Sequence, residues 1–96
     1  MKASIRQKLE KTTERFEEVG RLLSDAGLAG GSQEFRELSM EYPRLEPVAQ
    51  AFRRYVDLEV QQAAARELAE DRDADMSEMG AEETLRLTTL MTAQEQ

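Results

Sequence analysis

The chain has 96 residues, of which 40% are hydrophobic, and carries a formal net charge of −7 at pH 7. This length allows one domain at most, with a modest core. Histidine and cysteine are absent, which excludes Ser-His-Asp and Cys-His nucleophiles, disulfides and zinc sites built on soft ligands.

The first predicted element is an amphipathic helix over residues 4–24. Its apolar positions recur at steps of three and four, which is helical spacing: Ile5, Leu9, Thr12, Phe16, Val19 and Leu23. Ser4 and Gln7 have the spacing of a capping box, so we expect the helix to begin at Ser4. Gly20 interrupts the helix at a cost of about 1 kcal/mol relative to alanine.

A glycine-containing turn is expected over residues 25–31, followed by a helix over residues 33–70 with Ser32 as its N-cap. The apolar stripe of this second helix again has steps of three and four: Phe35, Leu38, Tyr42, Leu45, Ala49, Phe52 and Val56. We therefore expect the two helices to form an antiparallel hairpin.

Two prolines, Pro43 and Pro47, lie inside the second helix but off its apolar stripe. Each costs about 3 kcal/mol in a helix interior, so the helix either bends there or splits into two. The stripe keeps its phase across both prolines, and Glu46 is a poor N-cap for a new helix. We expect a helix bent at 43–47, close to 55 Å long if continuous, and hence an elongated protein.

A third helix is expected over residues 76–95, after an acidic corner. Asp75 and Glu78 have capping-box spacing. The apolar face of this helix is loose, and its members are Met76, Met79, Leu87, Leu90 and Met91. No glycine, proline or basic last turn ends the helix, so we expect the sequence to be a fragment of a longer protein.

The predicted fold class is all-α, an elongated antiparallel helical hairpin or three-helix bundle with a proline-bent second helix. Residues 1–23 carry six basic and four acidic groups, whereas residues 66–96 carry three basic and nine acidic ones. The chain lacks a basic face, so we expect no direct nucleic-acid binding, and a protein partner is favoured. The polar N-terminus and the lack of a long apolar run predict a soluble, cytoplasmic protein without membrane contact.

The acidic corner partly matches an EF-hand calcium loop. Asp71, Asp73, Asp75 and Glu82 stand at ligand positions, but Met76 replaces the glycine that the loop requires. Carboxylates elsewhere lie along exposed helical ridges, where solvated charge is the ordinary explanation. We therefore predict no catalytic, cofactor-binding or metal-binding residue, and no cofactor.

Three segments carry a further signal: MKASIRQKLEKTTERFEEVGRLLSDA at residues 1–26, EFRELSMEYPRLEPV at residues 34–48 and AEDRDADMSEMGAEE at residues 69–83. They resemble bacterial class I peptide chain release factors of the factor-1 type. Their order and spacing match the N-terminal domain of that family from residue 1 to about residue 85. Three motifs in register are more specific than any one of them alone.

The resemblance implies an accessory domain in translation termination. The family reads stop codons with a tripeptide in a second domain and releases the peptide with a Gly-Gly-Gln loop in a third. Neither is in this chain, since Gly30-Gly31-Ser32-Gln33 is not that loop. The implied partners are ribosomal stalk-base proteins at the factor-binding region, the release-factor GTPase and the methyltransferase that modifies the Gly-Gly-Gln glutamine.

Two other classes of function remain open from the residues alone. The spacing of the apolar stripes also permits intermolecular pairing, as in a free-standing helical adaptor or a coiled-coil dimerisation module. An enzyme is not expected, because the side chains most used for nucleophilic catalysis are absent. For protein contacts, the exposed acidic residues around 70–83 are the candidate surface.

Overall fold

A computed structural model of the protein describes residues 1–25 and 30–95. Across those residues it contains three α-helices and no β-strand, and the helices are α1 (Ala3–Ser24), α2 (Gln33–Ala69) and α3 (Ala74–Gln94). The all-α prediction is confirmed. Residues 26–29, the central part of the predicted turn, lie outside the described residues.

The chain divides into two compact units, Met1–Phe52 and Arg53–Gln96. The first unit contains α1 and the beginning of α2, and the second contains the rest of α2 together with α3. Each unit is a pair of antiparallel helices with its own small core. The helical-hairpin prediction is therefore confirmed, and it applies to each unit separately.

Helix α2 is continuous over 37 residues and includes both prolines. The alternative of a helix broken at Pro43 and Pro47 is wrong. Both prolines are exposed, and so is Ser39, whose carbonyl lies four residues before Pro43. Proline cannot donate to the carbonyl four residues before it, but a carbonyl on the exposed side of the helix can bond to water instead. The helix therefore tolerates proline in its interior.

In the first unit, α1 packs against α2 through aromatic contacts. The ring centroids of Phe16 and Tyr42 are 4.6 Å apart, and the Arg6 guanidinium lies 5.5 Å from the centroid of the Phe52 ring. Phe16 on α1 contacts Tyr42 on α2, whereas the earlier residue Arg6 contacts the later residue Phe52. The two helices are therefore antiparallel. The apolar stripe of α2 is confirmed, because none of its seven members is exposed.

In the second unit, α2 and α3 are antiparallel and approach each other closely at Gly80. A β-carbon built on Gly80 would lie 2.3 Å from the backbone nitrogen of Ala69 and 2.8 Å from the carbonyl oxygen of Ala65. Only glycine fits at that distance without displacing backbone. Further along, the Gln62 side-chain amide donates to Thr88 Oγ1 at 2.8 Å, and the Tyr55 hydroxyl donates to Glu95 Oε1 at 2.7 Å.

The N-cap predictions have mixed outcomes. Ser32 is confirmed, because the Phe35 amide donates to its Oγ at 3.0 Å. Ser4 is wrong, since α1 begins at Ala3 with Lys2 as an N-cap that makes no side-chain bond. The reason is that the Lys2 carbonyl already accepts the first helical hydrogen bond.

The predicted capping box of α3 is also wrong, because Asp73 rather than Asp75 is its N-cap. The Asp73 carboxylate accepts from the backbone amides of Asp75 at 2.8 Å and Met76 at 3.3 Å. Two acidic residues at this spacing compete for one cap, and Asp75 instead lies in the first turn, where the helix dipole favours a negative charge.

The predicted apolar face of α3 is only partly buried. Leu87 and Met91 are in the core with 1% and 9% of their surface exposed. Met76, Met79 and Leu90 are exposed, so three of the five members of this loose face lie outside the core. The face that contacts α2 instead runs through Gly80, and the three exposed side chains lie beside it.

Candidate protein-interaction surface

The acidic corner, residues 70–83, connects α2 to α3 and forms the first turns of α3. It has seven acidic residues against one basic residue, Arg72. Six of the acidic side chains are exposed and the seventh, Glu83, is half-buried. Such a concentration of one sign of charge on exposed positions attracts partners of the opposite sign.

The corner is held in place by its own backbone and carboxylates. The amides of Glu70 and Asp71 donate to the carbonyls of Glu67 and Leu68 at 3.1 and 3.0 Å, which closes the last turn of α2. The Asp71 carboxylate then accepts from the Asp73 amide at 2.8 Å. On the α3 side, the Ser77 hydroxyl donates to the Ala69 carbonyl at 2.7 Å. These bonds fix the connection at a length of four residues, 70–73.

The geometry of the corner does not suit an EF-hand loop. One carboxylate oxygen of Asp71 and one of Asp73 already accept hydrogen bonds from backbone amides. Asp75 and Glu82 lie within helix α3. An EF-hand needs an open loop of 12 residues around the ion. No group of three or more potential metal ligands comes together anywhere in residues 1–25 and 30–95.

Glu41 in the first unit and Glu83 at the end of the acidic corner both form ion pairs with arginine. Glu41 accepts two hydrogen bonds from Arg15, at 2.6 Å from Nε and 2.8 Å from Nη2. These bonds lower the pKa of the Glu41 carboxyl. Hydrogen bonds from Arg86 likewise lower the pKa of Glu83. A general acid at neutral pH needs a raised carboxyl pKa, so both groups have the properties of structural carboxylates.

Four large apolar side chains of α3 are exposed; Leu85 lies on one side of the helix and the other three lie together on another side. Met76, Met79 and Leu90 have 45%, 57% and 43% of their surface exposed. We call these three residues the methionine stripe. The apolar spacing was visible in the sequence, but which of these side chains would face α2 could not be read from it.

The described residues are all-helical, and they include an exposed acidic corner. Residues 12–96 match the family model of the PCRF domain. The chain belongs to this family, a domain of peptide chain release factors, which act in translation termination. The predicted resemblance is therefore confirmed. No solved structure matches the chain.

None of the helices in the described residues is long and apolar enough to span a membrane.

Proposed function

We propose that the chain is the accessory N-terminal domain of a class I release factor and works through protein contacts at the factor-binding and stalk region of the ribosome. The single observation that carries this proposal is the family match over residues 12–96. The same match favours this function over a helical adaptor unrelated to translation. The domain would act in the cytoplasm, where ribosomes terminate synthesis.

The charge of the domain favours a protein contact over a nucleic-acid contact. A net charge of −7 opposes approach to phosphate backbones, which bind proteins through clustered lysine and arginine. The acidic corner instead suits the basic patches that ribosomal proteins and factors can present. Stalk-base proteins are the first proposed partners, and the release-factor GTPase and the glutamine methyltransferase of the Gly-Gly-Gln loop are the others.

We further propose that the domain has no catalytic role of its own. In support, Glu41 is already committed to an arginine that lowers its pKa, and the chain has neither histidine nor cysteine. Codon reading and peptide release would then belong to other parts of a release factor.

Binding of the 96-residue protein to purified bacterial ribosomes tests the proposal. The variant Glu78→Lys/Glu82→Lys reverses two exposed charges of the acidic corner. A matched control, Glu14→Lys/Glu37→Lys, makes the same charge change at two exposed residues of the first unit. We expect the corner variant to bind at least about tenfold more weakly and the control to bind like the wild type.

Two results would count against the proposal. Wild-type protein that fails to bind ribosomes would remove the proposed contact. Equal affinity of the two variants would exclude the acidic corner as its location. The same pair of variants, tested against the purified GTPase and the purified methyltransferase, separates these two partners from the ribosome.

A further inference from the structure

The methionine stripe lies on one side of α3, and a charged pair separates Met79 from Leu90 along it. From Met79 to Leu90 the chain passes through Glu83 and Arg86 at steps of four, three and four residues, so all four lie on one side of the helix. The Arg86 Nε donates to Glu83 Oε2 at 2.9 Å. This pairing neutralises the two charges within the stripe and leaves their aliphatic stems along it.

The two edges of the stripe differ in character. On one edge is Leu87, which is only 1% exposed and belongs to the core of the second unit. On the other edge, Asp75 and Glu82 lie four and three residues from Met79, within side-chain reach on a helix. Both are exposed. The stripe therefore has a negatively charged outer border at its Met79 end.

We propose that the methionine stripe is a docking face for a basic amphipathic helix of a partner protein. Apolar side chains of that helix would cover Met76, Met79 and Leu90, and its lysine or arginine residues would meet the acidic border. Methionine suits such a contact because its flexible, polarisable side chain adapts to different apolar partners.

The negative charge of the chain favours a basic helix over two other occupants, a second copy of the chain and an anionic lipid surface. A second copy of the chain would bring another net charge of −7 against the same border. Anionic lipid headgroups would be repelled in the same way. A positively charged helix gains from both the stripe and its border, and electrostatic attraction speeds its association.

This inference rests on the proposed function, because it names the chemistry of the partner that the accessory domain would contact. Its test, however, needs no ribosome. The probe is a fluorescent amphipathic peptide of leucine and lysine, about 18 residues or five helical turns long. A second peptide with glutamate in place of lysine keeps the apolar face and reverses the charge.

The protein variants are Met79→Ser and its matched control Leu85→Ser. Leu85 is 71% exposed and lies on the other side of α3 from the stripe, as the helical repeat of 3.6 residues requires. Each substitution replaces one exposed apolar side chain of α3 with serine, so both proteins should melt like the wild type. They differ only in whether the stripe is interrupted.

We expect the lysine peptide to bind the wild type and the Leu85→Ser variant equally, and to bind Met79→Ser roughly tenfold more weakly. The glutamate peptide should not bind. Equal binding of the lysine peptide to both serine variants, or equal binding of the two peptides, would overturn the inference. Dimerisation of the wild type that Met79→Ser abolishes would also overturn it, since a second copy would then be the occupant.

The outcomes separate this inference from the proposed function. Peptide binding that depends on Met79, without ribosome binding by the wild type, supports the docking face and contradicts the proposed function. Ribosome binding that is lost in Glu78→Lys/Glu82→Lys, together with equal binding of the lysine peptide to both serine variants, supports the proposed function and contradicts the docking face.

Discussion

The close contact at Gly80 makes the sharpest stability prediction. In Gly80→Ala the new β-carbon would lie 2.3 Å from the Ala69 nitrogen and 2.6 Å from the Leu68 carbonyl carbon, whereas ordinary contact begins near 3.4 Å. The obstructing atoms are backbone atoms of α2, which cannot rotate away as a side chain can. The two helices must therefore move apart by about 1 Å, and the core around Leu87 loosens with them.

Two opposing terms set the size of the effect. Alanine gains about 1 kcal/mol over glycine in a helix interior. Overpacking a well-packed contact costs about 1–3 kcal/mol, and we take the upper end because backbone atoms are displaced. The free energy of unfolding should fall by about 2 kcal/mol, which for a domain of this size lowers Tm by about 8–16 °C.

Thermal unfolding followed by far-UV circular dichroism measures this change, and Gly20→Ala is the matched control. A β-carbon at Gly20 would be 3.4 Å from the Tyr42 ring, an ordinary contact, so this variant should gain up to about 1 kcal/mol from helix propensity. The two glycine-to-alanine changes should shift Tm in opposite directions. A Gly80→Ala protein that melts at or above the wild-type Tm would refute the close-packing argument.

Three further predictions follow from the helix ends, the prolines and the ion pair. Pro43→Ala should raise the free energy of unfolding by about 1–3 kcal/mol in denaturant titrations, because an exposed proline is replaced by a helix former with an amide donor; no gain would contradict the account of an exposed, hydrated proline site. Asp73→Ala should cost about 1 kcal/mol in the same titration through loss of an N-cap, whereas Ser4→Ala should be neutral, and the opposite order would contradict the cap assignment. Glu41→Gln should lower the free energy of unfolding at neutral pH. The pKa of Glu41 is lowered in the folded protein by its hydrogen bonds from Arg15. The ionised Glu41 therefore stabilises the fold above its unfolded pKa, and this stabilisation is lost as the pH falls through its folded pKa. Melts across pH should converge for the two proteins in acid, and a constant difference would exclude the ion pair with Arg15.

Periodicity predicted the parts of the fold that depend on burial. The stripe from Phe35 to Val56 kept its phase across both prolines, and its members are buried or half-buried as expected. The phase held because the core contacts of α2 lie on the side away from Pro43 and Pro47. Burial of a helix face leaves a strong pattern in sequence, which is why this helix was predicted as one element.

The contacts of α3 could not be predicted in the same way. Its apolar residues are too few to define one face, and the close approach is made by Gly80, which adds nothing to hydrophobic periodicity. A signal was present, since a glycine inside a helix costs about 1 kcal/mol and usually has a packing reason. The small residues Ala65 and Ala69, spaced four apart on α2, are the surface that accepts it.

The acidic corner was predicted as a surface, whereas the detailed roles of its carboxylates were not. Asp71, Asp73 and Asp75 alternate along the chain, and any of them has the chemistry of a cap. Which one caps α3 depends on where α2 ends, at Ala69, and that is decided by packing rather than by the local sequence.

A peptide-release assay tests the central claim most directly. The 96-residue protein is added to ribosomal termination complexes, alone and together with an intact class I release factor. We expect no release by the protein alone and slower release by the intact factor, because the added domain occupies the same contact, while Glu78→Lys/Glu82→Lys should not compete. Release of peptide by the 96-residue protein alone, or no competition at saturating concentration, would contradict the account of a non-catalytic accessory domain.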